Sequence, residues 1–279
     1  MPIHDQSYRR YGGDREPVRG AWTVIAAAGI ASLLRKRIFL GLLVFAWMPF
    51  LVEAGKIYFS ANFPQLALLA PTADTFREFF NRQNIFVFFM TIYVGAGLIA
   101  NDRRANALQI YLSKPLSRAE YIGGKMAILV VFLLLVTFVP GILLLLTQVA
   151  FAGSFEFVRK NLFLFPAITL FSIVQVAVAS FTMLALSSLS NSSRFVAVLY
   201  TGAVLFTDAM FGVLRGITGS TTVAWVSLPA NLAQVGDLVF RVKLRYDTPV
   251  MVSAIVVLAL IVVSISVLER RVRGVEVVT

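Results

Sequence analysis

Cysteine and histidine are almost missing from this sequence, and their scarcity excludes several kinds of chemistry. The 279 residues contain no cysteine, which excludes disulfide frameworks, thiolate metal sites and cysteine nucleophiles. The one histidine, His4, lies in a polar N-terminal segment, so there is almost no material for histidine-based metal binding or acid–base catalysis. Neither a P-loop pattern nor an H-E-x-x-H pattern occurs. The sequence therefore predicts a non-catalytic chain that holds no metal and no cofactor.

Charged residues are also scarce, and this points to a membrane protein. Only 14% of the residues are charged, against about 25% in a typical soluble domain, whereas 58% are hydrophobic. Several apolar runs reach the roughly 20 residues that a helix needs to cross a bilayer. Because lipid cannot satisfy free backbone groups, each run is expected to be helical. The predicted fold class is an all-α integral membrane protein.

Six apolar runs are predicted to form one transmembrane domain over residues 38–268. A polar tail at 1–16 precedes it, and a second short tail at 269–279 follows it. Residues 17–37 show apolar positions at helical spacing, which favours an amphipathic elbow helix over a plain extension of the first span. The predicted spans are 38–59, 84–100, 126–152, 162–189, 195–214 and 249–268.

The net charge of +11 comes from basic residues that lie mostly between the apolar runs. In a soluble protein this charge would suggest nucleic acid, but here it is typical of anchors at anionic lipid headgroups. The connections on the same side as the N-terminus carry more Lys and Arg than the others, so both termini are predicted to be cytoplasmic. Membrane lipids, and not nucleic acid, are the expected contacts of these residues.

The longest connection, residues 215–248, joins the fifth and sixth spans. Its middle, "VAWVSLPANLAQVGDLVF", is apolar but too short and too interrupted to cross a bilayer. This pattern predicts a pair of short re-entrant or interfacial helices.

The connection between the second and third spans, "NALQIYLSKPLSRAEYIGGK", is short and basic between two apolar runs. Ser117 and Glu120 have the spacing of a capping box, so the helix of the third span is expected to begin near Arg118. Before Pro115 the chain can form a separate short helix with an apolar face. That face either packs on the ends of this chain's own spans or docks in a hydrophobic groove of a partner. The face contains Leu108, Tyr111 and Leu112.

Two polar residues within the predicted spans are candidates for a transport path. Asp208 in the fifth span is the charged residue that stands out, because an intramembrane carboxylate is costly and usually functional. Gln175 in the fourth span is the other, although an amide at this depth more often makes a hydrogen bond between helices. A lone carboxylate gives little support for ion-coupled transport, so energy for transport would have to come from another chain.

The segment "GLIANDRRANALQIYLSKPLSRAEYIGGK" resembles the ABC-2 family, the membrane subunits of type-2 ATP-binding-cassette exporters. The copper-site maturation permeases of denitrifying bacteria are one branch of this type. The resemblance implies a coupling helix seated on a separate ATPase subunit, with two ATPases and two permease chains, as a homodimer or heterodimer, in the transporter. The implied ATPase-coupling residues are Asp102, Arg103, Arg104, Leu108, Tyr111, Leu112, Lys114, Pro115 and Arg118.

The resemblance implies the permease subunit of an exporter in the cytoplasmic membrane of a prokaryotic cell. Two other readings of the sequence remain open. One is an ion-coupled secondary carrier that uses Asp208. The other is a membrane scaffold that relays the motion of an ATPase without carrying a substrate. The sequence does not indicate which substrate is carried.

Overall fold

The structure is a computed structural model, and its described part is helical without a β-strand. Among the described residues, six helical stretches are long and apolar enough to cross a membrane, which confirms the all-helical class and matches the predicted number of spans. The spans are Arg37–Asn62, Ala73–Arg104, Arg118–Phe151, Leu164–Leu189, Ser193–Thr218 and Val250–Arg271. The structure describes residues 20–63, 65, 71–107, 117–152 and 156–272.

The first and third spans are each made of two helices that meet at a break. In the first span, α2 (Arg37–Phe45) is followed by α3 (Met48–Asn62), which has a proline in its first turn. In the third span, α6 (Arg118–Val136) is followed by α7 (Phe138–Ala152). A break in a membrane helix frees backbone carbonyl groups that lipid cannot satisfy, so each needs another partner.

A single amide of the second span is the partner at both breaks. The Nε2 atom of Gln83 donates a hydrogen bond to the carbonyl of Ala46, at the end of α2, and another to the carbonyl of Val136, at the end of α6. Both bonds are 2.8 Å long, and Gln83 is fully buried. The three spans are therefore joined at one depth.

The second span begins earlier than the predicted 84–100. Helix α4 (Ala73–Gly95) is capped by Thr72, and after a turn the chain continues into α5 (Ala100–Arg104). The first turns of α4 contain the charged residues Arg77, Glu78 and Arg82, which gave this segment the composition of a loop. The structure compensates these charges with partners on α3, on α11 and in the connection that follows α11.

The fourth span, α9 (Leu164–Leu189), is the central helix, and it packs against the second, third, fifth and sixth spans. Two apolar clusters lie at opposite ends of the bundle. The cluster that contains Leu33 and Leu268 marks what we call the termini end, and the cluster that contains Ile57 and Phe240 marks the distal end. A short helix at the distal end, α8 (Glu156–Lys160), precedes α9.

Helix α1 (Ala21–Leu34) is separated from α2 by a turn and packs along α6. The contact is close because Gly124 of α6 has no side chain: a Cβ atom there would lie 2.9 Å from the carbonyl oxygen of Trp22. On α1 itself, Gly29 lies against the side chain of Ile128 in the same way. That α1 is an elbow helix at the membrane surface stays a prediction.

The connection between the fifth and sixth spans contains two short helices, as the sequence predicts. Helix α10 (Ser193–Thr218) leads into a 3-10 helix (Thr222–Val226) and then α11 (Leu228–Val239). The chain then enters the sixth span, α12 (Val250–Arg271). Helix α11 packs against α12 and also contacts α10, α9 and α4. It therefore closes the distal end between four spans.

Candidate functional site

The predicted coupling segment is described only at its two ends. At the second of these, the predicted capping box is confirmed: the Ser117 hydroxyl accepts from the Glu120 amide at 3.2 Å, and the Glu120 carboxylate accepts from the Ser117 amide at 3.0 Å. Helix α6 begins at the next residue, Arg118, as predicted. Five predicted coupling residues lie outside the described residues: Leu108, Tyr111, Leu112, Lys114 and Pro115.

Asp102 connects the end of the second span to the start of the third. Its Oδ2 atom accepts a hydrogen bond from the Tyr121 hydroxyl at 2.8 Å and forms an ion pair with Lys125 Nζ at 2.7 Å. Tyr121 is fully buried, and the Lys125 ammonium lies 5.6 Å from the centre of its ring. Because three groups share this contact, α5 and the first turns of α6 are held together.

Arg103 connects the same segment to the end of the fourth span. Its guanidinium donates to the carbonyl of Ser188, and its Nε atom donates to Asn191 Oδ1 at 3.1 Å. Ser187 strengthens this connection, since its hydroxyl donates to a carbonyl of the turn between α4 and α5 and accepts from two backbone amides there. The entry to the predicted coupling segment is thus attached to both α6 and α9.

Arg104 and Arg118 are the predicted coupling residues that face outward. Both are exposed, and neither has an ion-pair partner among the residues that the structure describes. They lie at the two ends of the segment, beside the residues that hold it to the bundle. Two cations in this position are available to another molecule.

The two predicted transport-path residues are not brought together. Asp208 is exposed on α10, and its Oδ1 atom accepts a hydrogen bond from the Ser227 hydroxyl at 2.9 Å. Gln175 is buried in α9, where its Nε2 atom donates to Asn84 Oδ1 of the second span. The bond between helices that was predicted for Gln175 is therefore present, whereas Asp208 connects α10 to the start of α11.

A buried ionic network at the distal end is absent from the sequence predictions. Arg77 of α4 donates through Nε to Asp237 Oδ1 at 2.7 Å and through Nη2 to the carbonyl of Ala233 at 2.9 Å. Arg245 donates to both carboxylate oxygens of the same aspartate, at 2.8 and 3.0 Å. Only 1% of Arg77 and none of Asp237 is exposed. One carboxylate thus holds two guanidinium groups, and Glu78 lies 3.5 Å from Arg245 as a further anion.

The surroundings of Arg245 favour its charged form. Burial alone would lower the pKa of Arg245, but the hydrogen bonds and charge of Asp237, with the charge of Glu78, outweigh burial and raise it. Arg245 therefore stays charged at neutral pH. For the neighbouring Tyr246, burial raises the pKa of the hydroxyl, and the hydroxyl therefore stays neutral. The feature of the sequence that could have indicated this network is Asp237, a carboxylate within an apolar run.

A second cluster of charged residues lies within the spans, so the prediction that Asp208 is the exceptional charge there was wrong. Glu53 of α3 is buried and forms ion pairs with Arg82 of α4 and with Lys56, one turn further along α3. Its hydrogen bond to Lys56 is 3.0 Å long. The buried Glu53 carboxylate is therefore paired both between and within helices, as expected for a charge that lipid would otherwise surround.

A cavity of about 120 Å³ lies among α4, α9, α10, α11 and α12. The Asn84–Gln175 amide pair and Thr182 are polar groups in its lining, which is otherwise mostly apolar. Within the described part of the chain, no group of three or more acidic or histidine side chains is placed to hold a metal ion.

Comparison of the sequence with models of known protein families finds no match, and a search of curated proteins finds no significant match. The class that the structure defines is an all-helical protein whose six apolar helices fit a multi-pass membrane protein.

Proposed function

We propose that this chain is the permease subunit of an ATP-driven exporter and that a separate ATPase subunit docks on the segment 101–118. The observation that carries the proposal is the attachment of this segment to three spans. Asp102 holds it to the third span through Tyr121 and Lys125, and Arg103 holds it to the end of the fourth. The described start of the segment, through Arg104, is part of the second span.

The attachment supports a role in transmitting motion. Closely packed protein interiors transmit displacement because they have little free volume to absorb it. A force on the segment would therefore act on the second, third and fourth spans together, in the manner of rigid-body switching. The remaining requirement is a partner that supplies the force, because the sequence has no nucleotide-binding motif of its own.

The charges at the segment suit a docking surface. Arg104 and Arg118 are exposed at its two ends and have no described ion-pair partner. In the proposed assembly, two such chains and two ATPase subunits form a transporter in the cytoplasmic membrane of a prokaryotic cell, with the termini end in the cytoplasm. An acidic rim on the ATPase groove would complement the two arginines.

Co-purification tests this proposal. A tagged form of the full chain, solubilised from its native membrane, is expected to retain a subunit that is labelled by a photoreactive ATP analogue. The double variant Arg104→Glu with Arg118→Glu is expected to lose most of that subunit, because both contacts become repulsive. Arg194→Glu is the matched control, since Arg194 is also exposed at the termini end but lies outside the segment. Equal recovery with the double variant and the wild type would contradict the proposal.

A further inference from the structure

The cavity beside α10 has the features of a binding site for a small neutral group. It lies along α10 between two contacts of that helix: Val196 and Tyr200 pack at the termini end, and Phe211 packs at the distal end. Between these contacts Ala203 and Val204 line the cavity. An apolar cavity of comparable size, roughly 150 Å³, is large enough to bind benzene. The space can therefore hold a hydroxyl group and the first few carbons attached to it.

The polar atoms of the cavity wall define what that group must be. Gln175 Nε2 and Asn84 Oδ1 are used by their mutual bond. Gln175 Oε1 is left buried without a partner among the described residues, and Asn84 Nδ2 likewise has no hydrogen bond there. An unpaired buried acceptor costs about 1–3 kcal/mol, which a ligand that donates to it would recover. A hydroxyl can accept from Asn84 Nδ2, and it can donate to Gln175 Oε1 once the Gln175 side chain turns that atom, which has almost no accessible surface, toward the cavity.

The depth and charge of the cavity restrict the rest of the ligand. Asn84 lies about 17 Å along α4 from its first residue, near the middle of a hydrocarbon core about 30 Å thick. Among the described residues, no Asp, Glu, Lys or Arg lines the cavity. An ionised headgroup would therefore lose its hydration without gaining a partner, whereas an uncharged molecule would not.

We propose that this cavity binds a neutral long-chain alcohol that enters from the bilayer, with its hydroxyl on the Asn84–Gln175 pair and its chain along the apolar wall. The proposal goes beyond the proposed function, because binding of the alcohol requires no ATPase. If no ATPase co-purifies, the alcohol-binding proposal is unaffected. If no alcohol binds, the permease proposal is unaffected.

Photolabelling of the full chain in lipid nanodiscs tests the proposal. The probe is a long-chain primary alcohol with a diazirine on a carbon close to the hydroxyl, compared with its methyl ether and with the matching fatty acid. Mass spectrometry of the labelled peptides is expected to place the alcohol on the parts of α4, α9 and α10 that line the cavity. Labelling by the ether and by the acid is expected to be about fivefold lower, the scale of one lost hydrogen bond.

Two variants and a matched control make the test specific. Ala203→Phe fills the cavity and Gln175→Leu removes the amide, and each is expected to lower labelling by the alcohol about fivefold or more. Leu205→Phe is the control, because Leu205 is an outward-facing residue of the same helix, and it should leave labelling unchanged. Should Ala203→Phe fail to elute as a monodisperse protein, Ala179→Leu takes its place. Equal labelling by alcohol and ether, or label spread evenly over the outward faces of α3 and α12, would overturn the proposal.

Discussion

Gln83 shows how one residue can decide the shape of two helices. Its side-chain amide provides the donors for the carbonyl groups of Ala46 and Val136, where the first and third spans break. A hydrophobic residue of similar size would leave both groups unsatisfied in a buried site. The penalty for each such group is about 1–3 kcal/mol.

We expect Gln83→Leu to lower the free energy of unfolding by at least about 2 kcal/mol for this reason. Chemical denaturation in detergent micelles, followed by Trp fluorescence, measures the change. Phe89→Leu on the same helix is the control, since Phe89 is half exposed and its replacement should cost no more than about 0.5 kcal/mol. Unfolding curves for Gln83→Leu and wild type that superimpose would show that the two breaks do not depend on this amide.

Asp237 carries a second prediction at the scale of the residue. Its carboxylate is the common partner of Arg77 and Arg245, so Asp237→Asn leaves two guanidinium groups without their full counter-charge. Removing one member of a buried ion pair typically costs about 3–5 kcal/mol. We expect the variant to unfold about 3 kcal/mol more easily. Asp247→Asn is the control, because Asp247 is exposed and its described hydrogen bonds are to Thr221. A loss in Asp237→Asn no larger than in this control would refute the role of the network.

Residues that act through local rules were predictable, and residues that act through distant partners were not. The capping box at Ser117 and Glu120 follows from spacing alone, and it is confirmed. Arg77 bonds to Asp237, which is 160 residues further along the chain, and no local pattern links the two. Its charge instead indicated a loop. Local spacing therefore predicted the start of α6, whereas the charged start of α4 depends on distant partners and was missed.

At the scale of the element, the short helix α5 is fixed in place by its contacts with neighbouring helices. Asp102 contacts Tyr121 and Lys125 of α6, so the helix moves with the third span. In the proposed function, we expect Asp102→Asn to reduce the ATPase activity of the reconstituted complex about fivefold, because the ion pair that fixes the segment is lost. Hydrolysis of ATP by the complex in proteoliposomes measures the effect. Glu269→Gln, at an exposed acidic residue of α12, is the control and should retain full activity. Unchanged activity in Asp102→Asn would argue against transmission through this contact.

The fifth span, α10, allows a test between the proposed permease and an ion-coupled carrier. Asp208 is exposed on this helix and bonds to a serine hydroxyl. We expect Asp208→Asn to preserve the association with the ATPase and to leave proton flux into dye-loaded proteoliposomes unchanged from that of wild type. A carrier that depends on this carboxylate would show proton flux in the wild type and none in the variant. Ser227→Ala, which removes the partner and keeps the charge, separates loss of the hydrogen bond from loss of the carboxylate.

At the scale of the whole molecule, hydropathy predicted the number of spans because each crossing needs its own apolar run. The same argument fails for the second span, whose first turns are charged and therefore fall below any hydropathy threshold. It also gives no information on which spans touch. The central position of α9 and the closing of the distal end by α11 depend on contacts between residues far apart in the chain. These are properties of packing, which composition does not encode.

The close contact between Gly124 and the backbone of Trp22 has a practical consequence for the whole molecule. Because α1 is packed closely against α6, a tilt of the third span is expected to move α1 as well. Trp22 is 44% exposed, and its indole is therefore sensitive to a change of solvent or lipid around it. In the double variant Trp47→Phe with Trp225→Phe, Trp22 is the remaining tryptophan, and under the proposed function its fluorescence is expected to register a push on the 101–118 segment without any added label.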